Sequence, residues 1–307
     1  RESPASVVFL DGARRASDRV HVDIEKPFWK DLPAWIAFGR THSIGIAHNH
    51  MHRSGVLDNE AWGKPRPAQR FPGVTGNGLW TQEIYYHLLN AGIRLPPSAG
   101  SASGVLPNPV GYNRVYVQLS KFDPAEWWVG LRRGRSFVTN GPILLVTAQG
   151  QAPGATFQIT GSTPLELDLT LLSFDPIRAL EVIRDGVTAG TIPLPSEPNR
   201  EGRLREFHGR FALRVDQPGW FLVRAIADVP ETFRFASTAP FYLESAGRSR
   251  RISRRSVEFF LNWQTDRLKE LSESNQLSDP AERRAVLMIH EQARQFWLDM
   301  LSRATGE

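Results

Sequence analysis

Ser43-Ile-Gly-Ile-Ala-His48-Asn-His50-Met-His52 reads as a short strand that runs into three alternating histidines. The unbroken, brief apolar character of Ser43 to His48 is that of a parallel strand buried on both faces. Upstream, Asp31 to Gly39 has the signals of a short helix, with an acid at the N-cap, proline in the first turn and glycine at the end. Downstream, a polar Gly/Pro-rich stretch from Asp58 to Gly78 reads as a loop. A helix over Trp80–Ala91 follows, with Trp80, Ile84, Leu88 and Ala91 on one face and Gly92 as its stop. Ile93 to Leu95 and Val115 to Leu119 read as two more strands. Asp123-Pro-Ala-Glu126 opens another helix with cap, N1 proline and N3 glutamate in series. Strands alternating with helices predict an α/β segment over residues 1–141, built on a parallel sheet or barrel.

After Asn140-Gly141-Pro142 the hydrophobic period changes to two. Leu165, Leu167, Leu169 and Leu171 alternate with Glu166, Asp168 and Thr170, as in a half-buried antiparallel strand. Asp185-Gly186 between two apolar runs is a hairpin signal, because both turn positions need positive φ. With Phe211, Leu213 and Val215, then Trp220–Asp228 and Phe233–Leu243, about seven short strands predict an antiparallel β-sandwich of immunoglobulin-like size over residues 142–245. From residue 246 to 307 the pattern is helical. One apolar stripe contains Val257, Phe260, Leu261, Leu268 and Leu271; a second, opening at Asp279-Pro-Ala-Glu282, contains Val286, Ile289, Ala293, Trp297 and Met300.

The composition of this 307-residue chain, 41% hydrophobic and 22% charged, is that of a folded protein with room for two domains. No apolar run is long enough for a transmembrane helix. With no cysteine, disulfides, thiol catalysis and thiolate metal sites are excluded. A net charge of +5 raises the question of nucleic acid. The one dense cluster, Arg248, Arg250, Arg251, Arg254 and Arg255, lacks interleaved aromatics and leads into a helix, so a solvated linker and no nucleic-acid partner are expected. The chain begins at Arg1 without a secretory apolar region, and an upstream segment is expected.

The alternating His48, His50 and His52 would point to one side if extended, at the strand end that faces the crevice of a parallel sheet. Neutral imidazoles there suit a divalent metal such as zinc, manganese or iron; the alternative is hydrogen bonding to loop backbone. His21, Asp23 and Glu25 alternate too, as metal ligands or as an amphipathic edge strand. Glu83 and His87 are one helical turn apart and read as a surface pair. The small-residue loop from Pro97 to Gly104 could cradle a polar or anionic group of a small-molecule substrate. Asn49, Ser101 and Ser103 are the candidate substrate contacts. No Walker loop, dinucleotide fingerprint or nucleophile elbow occurs. Trp127, Trp128, Trp220 and Trp263 are expected in the core.

The stretches DIEKPFWKDLPAW, SIGIAHNHMH, WTQEIYYHLLNAGIRLPPSAGSASGVLPNPVGYNRVYV and FVTNGP together resemble the C-terminal half of carbaryl-hydrolase-like (CehA/McbA-type) metallohydrolases of the PHP superfamily. The likeness covers residues ~20–142 and extends more loosely beyond. It implies part of a distorted β/α barrel, two or three divalent metals, and hydrolysis of ester, amide or phosphoester bonds by metal-bound water. It also implies His21, His48 and His50 as the residues at or near the metal, a missing N-terminal half of the barrel as partner, and a periplasmic or extracellular location. Two departures accompany it. The family's opening His-x-His motif belongs to a first barrel strand expected upstream of this chain, and Gly100-Ser101-Ala102-Ser103 stands where the family has an Asp-x-His-type pair. Two functions are therefore expected in competition: a metal-dependent hydrolase, or a non-catalytic relative that binds a carbohydrate or an envelope partner.

Overall fold

Ser43–Ala47 is the central strand of a three-stranded sheet, hydrogen-bonded in parallel to Asp23–Ile24 on one side and Pro97–Ala99 on the other. The computed structural model describes residues 2–17, 19–104, 108–195, 203–246 and 250–306. In chain order its first elements are α1 (Val7–Ala16), β1 (Asp23–Ile24), α2 (Leu32–Ala37), β2 (Ser43–Ala47), β3 (Met51–His52), β4 (Gly55–Val56), α3 (Gly73–Asn90), β5 (Pro97–Ala99) and β6 (Arg114–Val117). There follow α4 (Pro124–Arg132), β7 (Ser136–Thr139), β8 (Ile143–Ala148), β9 (Thr156–Gln158), β10 (Thr163–Ser173), β11 (Ile177–Arg184) and β12 (Val187–Thr191). The chain closes with β13 (Arg205–Val215), β14 (Gly219–Ala227), β15 (Phe235–Thr238), β16 (Phe241–Glu244), α5 (Arg254–Glu273) and α6 (Pro280–Ser302). The fold is mixed α/β, with several sheets and, among the described residues, six helices and no closed barrel.

The parallel sheet of the α/β segment stays small because the third strand expected in it leaves it. β6 pairs antiparallel with β7, Val115 opposite Val138. The intervening α4 is an excursion at one end rather than a crossover: Gln118 N donates to Arg135 O at 2.8 Å, so the chain re-enters at the level it left. A parallel partner would have required a return to the opposite end. β7 in turn pairs with β15, which places both strands, although they precede residue 141, in an eight-stranded sheet of order β12-β11-β14-β15-β7-β6 with β16 and β9 alongside.

The alternating leucines of β10 point into a core shared by two sheets. Leu165, Leu167, Leu169 and Leu171, with Leu144 and Val146 of β8, meet Val182, Phe221, Val223 and Phe241 of the eight-stranded sheet. The partner sheet has three strands, β13-β10-β8, all antiparallel. The opposite face of the eight-stranded sheet is covered too. Ile183, Trp220, Leu222 and Phe235 join Tyr85, Tyr86 and Leu88 of α3 in a second core that also takes in Ile44 and Ile46 of β2. β14, buried from Trp220 to Ala227, is the strand on which both layers close. Its Arg224 pairs with Glu181 Oε2 on the adjacent β11 at 2.7 Å and reaches across to Gln82 Oε1 on α3 at 2.5 Å.

Helix α3 starts at Gly73, seven residues before the expected Trp80. The glycines that suggested a loop instead allow close approach: a Cβ on Gly78 would strike the Phe233 ring, and one on Gly76 the Phe71 carbonyl. The Asp185-Gly186 turn has the expected positive φ, 50° and 90°. The tail helices pack on the α/β segment, with Phe260 and Trp297 stacked at 4.8 Å and Trp297 Nε1 donating to Pro33 O at 3.0 Å. Asp279 caps α6 by accepting from the amides of Ala281 and Glu282. Of the four tryptophans expected inside, Trp220 and Trp263 are buried, whereas Trp128 is 45% exposed and Trp127 half-buried, because α4 lies at the surface. Arg248 of the arginine cluster falls outside the described residues; Arg250, Arg254 and Arg255 lie at the entry to α5. No helix among the described residues is long and apolar enough to cross a membrane.

Candidate functional site

The chain does not stay extended after β2: it turns at Asn49 and His50, with Met51 N donating to His48 O at 3.0 Å. The three histidines consequently have three environments. His48 is fully buried, its Nε2 2.9 Å from Thr81 Oγ1 on α3, and its Nδ1 accepts the His50 amide at 3.3 Å. An accepting Nδ1 places the ring proton on Nε2, which then donates to Thr81. Burial, then His50 and Lys26, hold its pKa well below the usual histidine value. His50 has its Nδ1 2.9 Å from Asn59 O, which as a pure acceptor leaves Nε2 as the lone-pair nitrogen. Its pKa is lowered chiefly by burial and next by Lys26, against opposing bonds to Asn59 and Leu57. The two rings meet edge to face at 5.3 Å, with Phe28 against both. His52 lies on the β3–β4 hairpin, its carbonyl tied to Thr232 Oγ1 at 2.7 Å.

His21 lies elsewhere. Its Nε2 is 2.8 Å from Ser43 Oγ at the beginning of β2, whereas His48 follows the end of that strand. Five strand residues separate the two levels by about 16 Å. Around His21, the hydroxyls of Ser43 and Ser98 both donate to Asp23, and Arg132 Nε approaches Nδ1 at 3.4 Å. Burial, His42 and Arg132 lower its pKa to about 4. Glu25 pairs with Lys26 at 3.1 Å. His87 bonds Ser256 Oγ at 2.9 Å and stacks on Phe259, so it joins α3 to α5 rather than lying on the surface.

The resemblance implies a divalent metal, and the residues present do not fit one. His48 has both ring nitrogens engaged, His50 offers a single free nitrogen, His52 keeps a buried Nε2 without a partner among the described residues, and His21 lies at the other end of the sheet. No three His, Asp or Glu side chains converge among the described residues. A hydrolytic centre needs about three protein ligands.

What surrounds His48 and His50 instead is a shell of asparagines. Asn113 donates to the carbonyls of His48 and Met51, Asn108 to those of Asn49 and Ser101, and Asn77 to Asn59 O and Glu60. Each of these amides, and that of Asn49, leaves its Oδ1 buried without a partner among the described residues. Ser101 closes the loop, accepting the Asn113 amide at 2.8 Å and donating back to Asn113 O. Ser103 is exposed, and Ala102 has φ 46°. Of the expected substrate contacts, only Asn49 therefore keeps an unused buried group.

A second place was not legible as a site. A groove of about 920 Å³ opens where β7 runs on into β8 and the chain passes between the two sheets. Tyr116 of β6 stacks on Phe137 of β7 at 5.0 Å and 13° yet remains 42% exposed. Arg114 Nε donates to its hydroxyl at 3.1 Å and steadies it. Across the groove lie Leu145 and the polar outward positions of β10 and β13, where Arg210 pairs with Asp168 at 3.0 Å and Thr170 meets His208 at 3.0 Å. Two residues lining it carry a buried polar atom without a partner among the described residues: Arg135 Nε, and Ser136 Oγ on the face of β7 opposite Phe137. The one sequence signal was Tyr116 standing with Arg114 in the outward register of an alternating strand.

No family model matches the chain, and no curated protein is similar to it at a significant level.

Proposed function

We propose that this chain binds a polar, ring-shaped ligand of the carbohydrate type in the groove between its sheets and does not itself carry out hydrolysis. The observation that carries the reading is the open Tyr116 ring, stacked on Phe137, in a groove that Arg135 also lines with a buried Nε lacking a partner among the described residues. An aromatic face receives the C–H face of a sugar ring, and buried unpaired donors mark where a polar guest completes the hydrogen bonding. The volume is that of a small-molecule site. Asp168, Thr170, His208 and Arg210 supply alternating donors and acceptors along the opposite wall. The engagement of His48 with Thr81 supports the non-catalytic part of the proposal. Saturation-transfer NMR on a panel of neutral oligosaccharides tests it: signal is expected from one class and none from Tyr116→Ala. A panel silent with the unmodified chain overturns it.

The second reading is the metal-dependent hydrolase implied by the PHP-like stretches. It is favoured by His50 Nε2 and by the four unpartnered asparagine oxygens, since buried polar atoms without partners point to water or an ion. In that reading His50 and Asn49 would contribute to a centre whose other ligands come from outside the described residues. Elemental analysis after equilibration with manganese or zinc separates the two: the binding reading expects no stoichiometric metal, the hydrolase reading at least one per chain, lowered in His50→Ala.

A further inference from the structure

Beside the groove is a second cavity of about 590 Å³, and four of its lining residues are arginines: Arg94, Arg132, Arg133 and Arg135. No aspartate or glutamate among the described residues lines it. Arg135 and Pro153 line both cavities, so the two adjoin. We infer that this cavity is an anion site, taking the carboxylate, sulfate or phosphate group of an acidic saccharide whose rings lie in the groove; this part of the inference rests on the proposed carbohydrate reading, whereas the anion site itself does not.

The arginines differ in how far they are already satisfied. Arg94 reaches Glu244 at 2.7 Å and lies 4.1 Å over the Tyr242 ring, which fixes it as one wall. Arg132 spends two nitrogens on neutral groups, Nε on His21 and Nη2 on Val20 O, and keeps its charge uncompensated. Arg133 and Arg135 make no ion pair among the described residues, and the buried Nε of Arg135 has no hydrogen-bond partner among them. A buried guanidinium nitrogen without an acceptor is costly, and a charge-assisted bond to an oxyanion removes that cost. The planar fork of arginine suits carboxylate, sulfate and phosphate alike. One effect opposes: Arg132 and Arg133 sit at the C-terminal end of α4, whose dipole carries about half a negative charge. Glu244 removes one further positive charge through Arg94. Three full positive charges remain against that half charge, and the cavity stays attractive to anions.

The experiment uses the full chain and two kinds of probe. Inorganic sulfate is compared with chloride at matched ionic strength by thermal unfolding and by arginine side-chain NMR. A uronic-acid oligosaccharide is then compared with a neutral one of the same length by calorimetry. Sulfate is expected to raise the unfolding temperature and shift one guanidinium resonance. The acidic sugar is expected to bind at least tenfold tighter than the neutral one. Both effects should fall to within twofold of baseline in Arg135→Gln. The exposed Arg133→Gln serves if Arg135→Gln does not fold, and should also reduce both. Sulfate binding without any saccharide binding retains the anion site and overturns the carbohydrate reading. No sulfate effect beyond chloride, or an effect that survives both variants, overturns the anion site.

Discussion

His48 Nε2 and Thr81 Oγ1, 2.9 Å apart and both wholly buried, join the end of β2 to the middle of α3. The histidine that a strand-end position marks as a ligand is here a cross-brace between sheet and helix. Thr81→Val removes the acceptor and leaves a buried N–H unpaired, which costs about 1–3 kcal/mol. Urea unfolding of the variant should show that loss with an unchanged slope. A variant as stable as the parent would mean that the His48 ring has another partner.

Acid sensitivity follows from the same burial. His87 has its pKa lowered to about 4 by burial, then Arg255 and Arg70, while the nearby Glu83 is drawn to Arg70 at 2.7 Å. His48 is also held well below the ordinary value of 6.5, chiefly by burial. The unfolded chain takes up these protons near pH 6.5 and the folded chain only lower, so stability falls as pH drops from 6.5 toward 4. Above about pH 7 these groups contribute no slope. Within the window each contributes up to about 1.4 kcal/mol per pH unit. Urea midpoints at pH 8, 6.5, 5 and 4 should show this, with a shallower fall in His87→Gln.

Arg224, 9% exposed, is the charge on which α3 and the eight-stranded sheet meet. Arg224→Ala would strand Glu181 and Gln82 in the interface and cost about 3–5 kcal/mol. Removing Glu181 as well, in Arg224→Leu with Glu181→Leu, should recover much of the loss. Thermal unfolding of the single and double variants measures the difference; equal losses would show that the ion pair itself contributes little.

The parallel strand at Ser43–Ala47 was legible because burial on both faces leaves it apolar after Ser43. β10 was legible for the opposite reason, since only one of its faces is buried. Pairing was less legible: nothing in Val115–Leu119 says whether its neighbour is Pro97–Ala99 or Ser136–Thr139, and the compact excursion of α4 decides it. At the histidines, period-two spacing implied a shared face, but the turn at Asn49 and His50 set each ring in a different environment. His21 read as a metal residue through its alternation with Asp23 and Glu25 and through the family likeness; its distance from His48 depends on which end of β2 each one borders. The groove escaped because its walls come from β6, β7, β8, β10 and β13, which no linear motif connects.

Gly78 gives a local check on the α3 packing that the glycine-rich composition obscured. Gly78→Ala must displace the buried Phe233 ring, and overpacking of this kind costs about 1–3 kcal/mol. Gly55, with open space around its α-carbon, should accept alanine at a much smaller cost. Comparable losses at the two positions in thermal unfolding would contradict the close contact between α3 and the Phe233 segment.

The most direct test of the central claim is calorimetric titration of the full chain with the best-binding oligosaccharide, repeated in Tyr116→Ala and His50→Ala after removal of divalent metal. Tyr116 lies at the groove and His50 in the asparagine shell beyond β2, so the variants address different sites. The account predicts binding without metal, retained within twofold in His50→Ala and weakened at least tenfold in Tyr116→Ala. Binding that needs added manganese or zinc, disappears in His50→Ala and survives in Tyr116→Ala would contradict it.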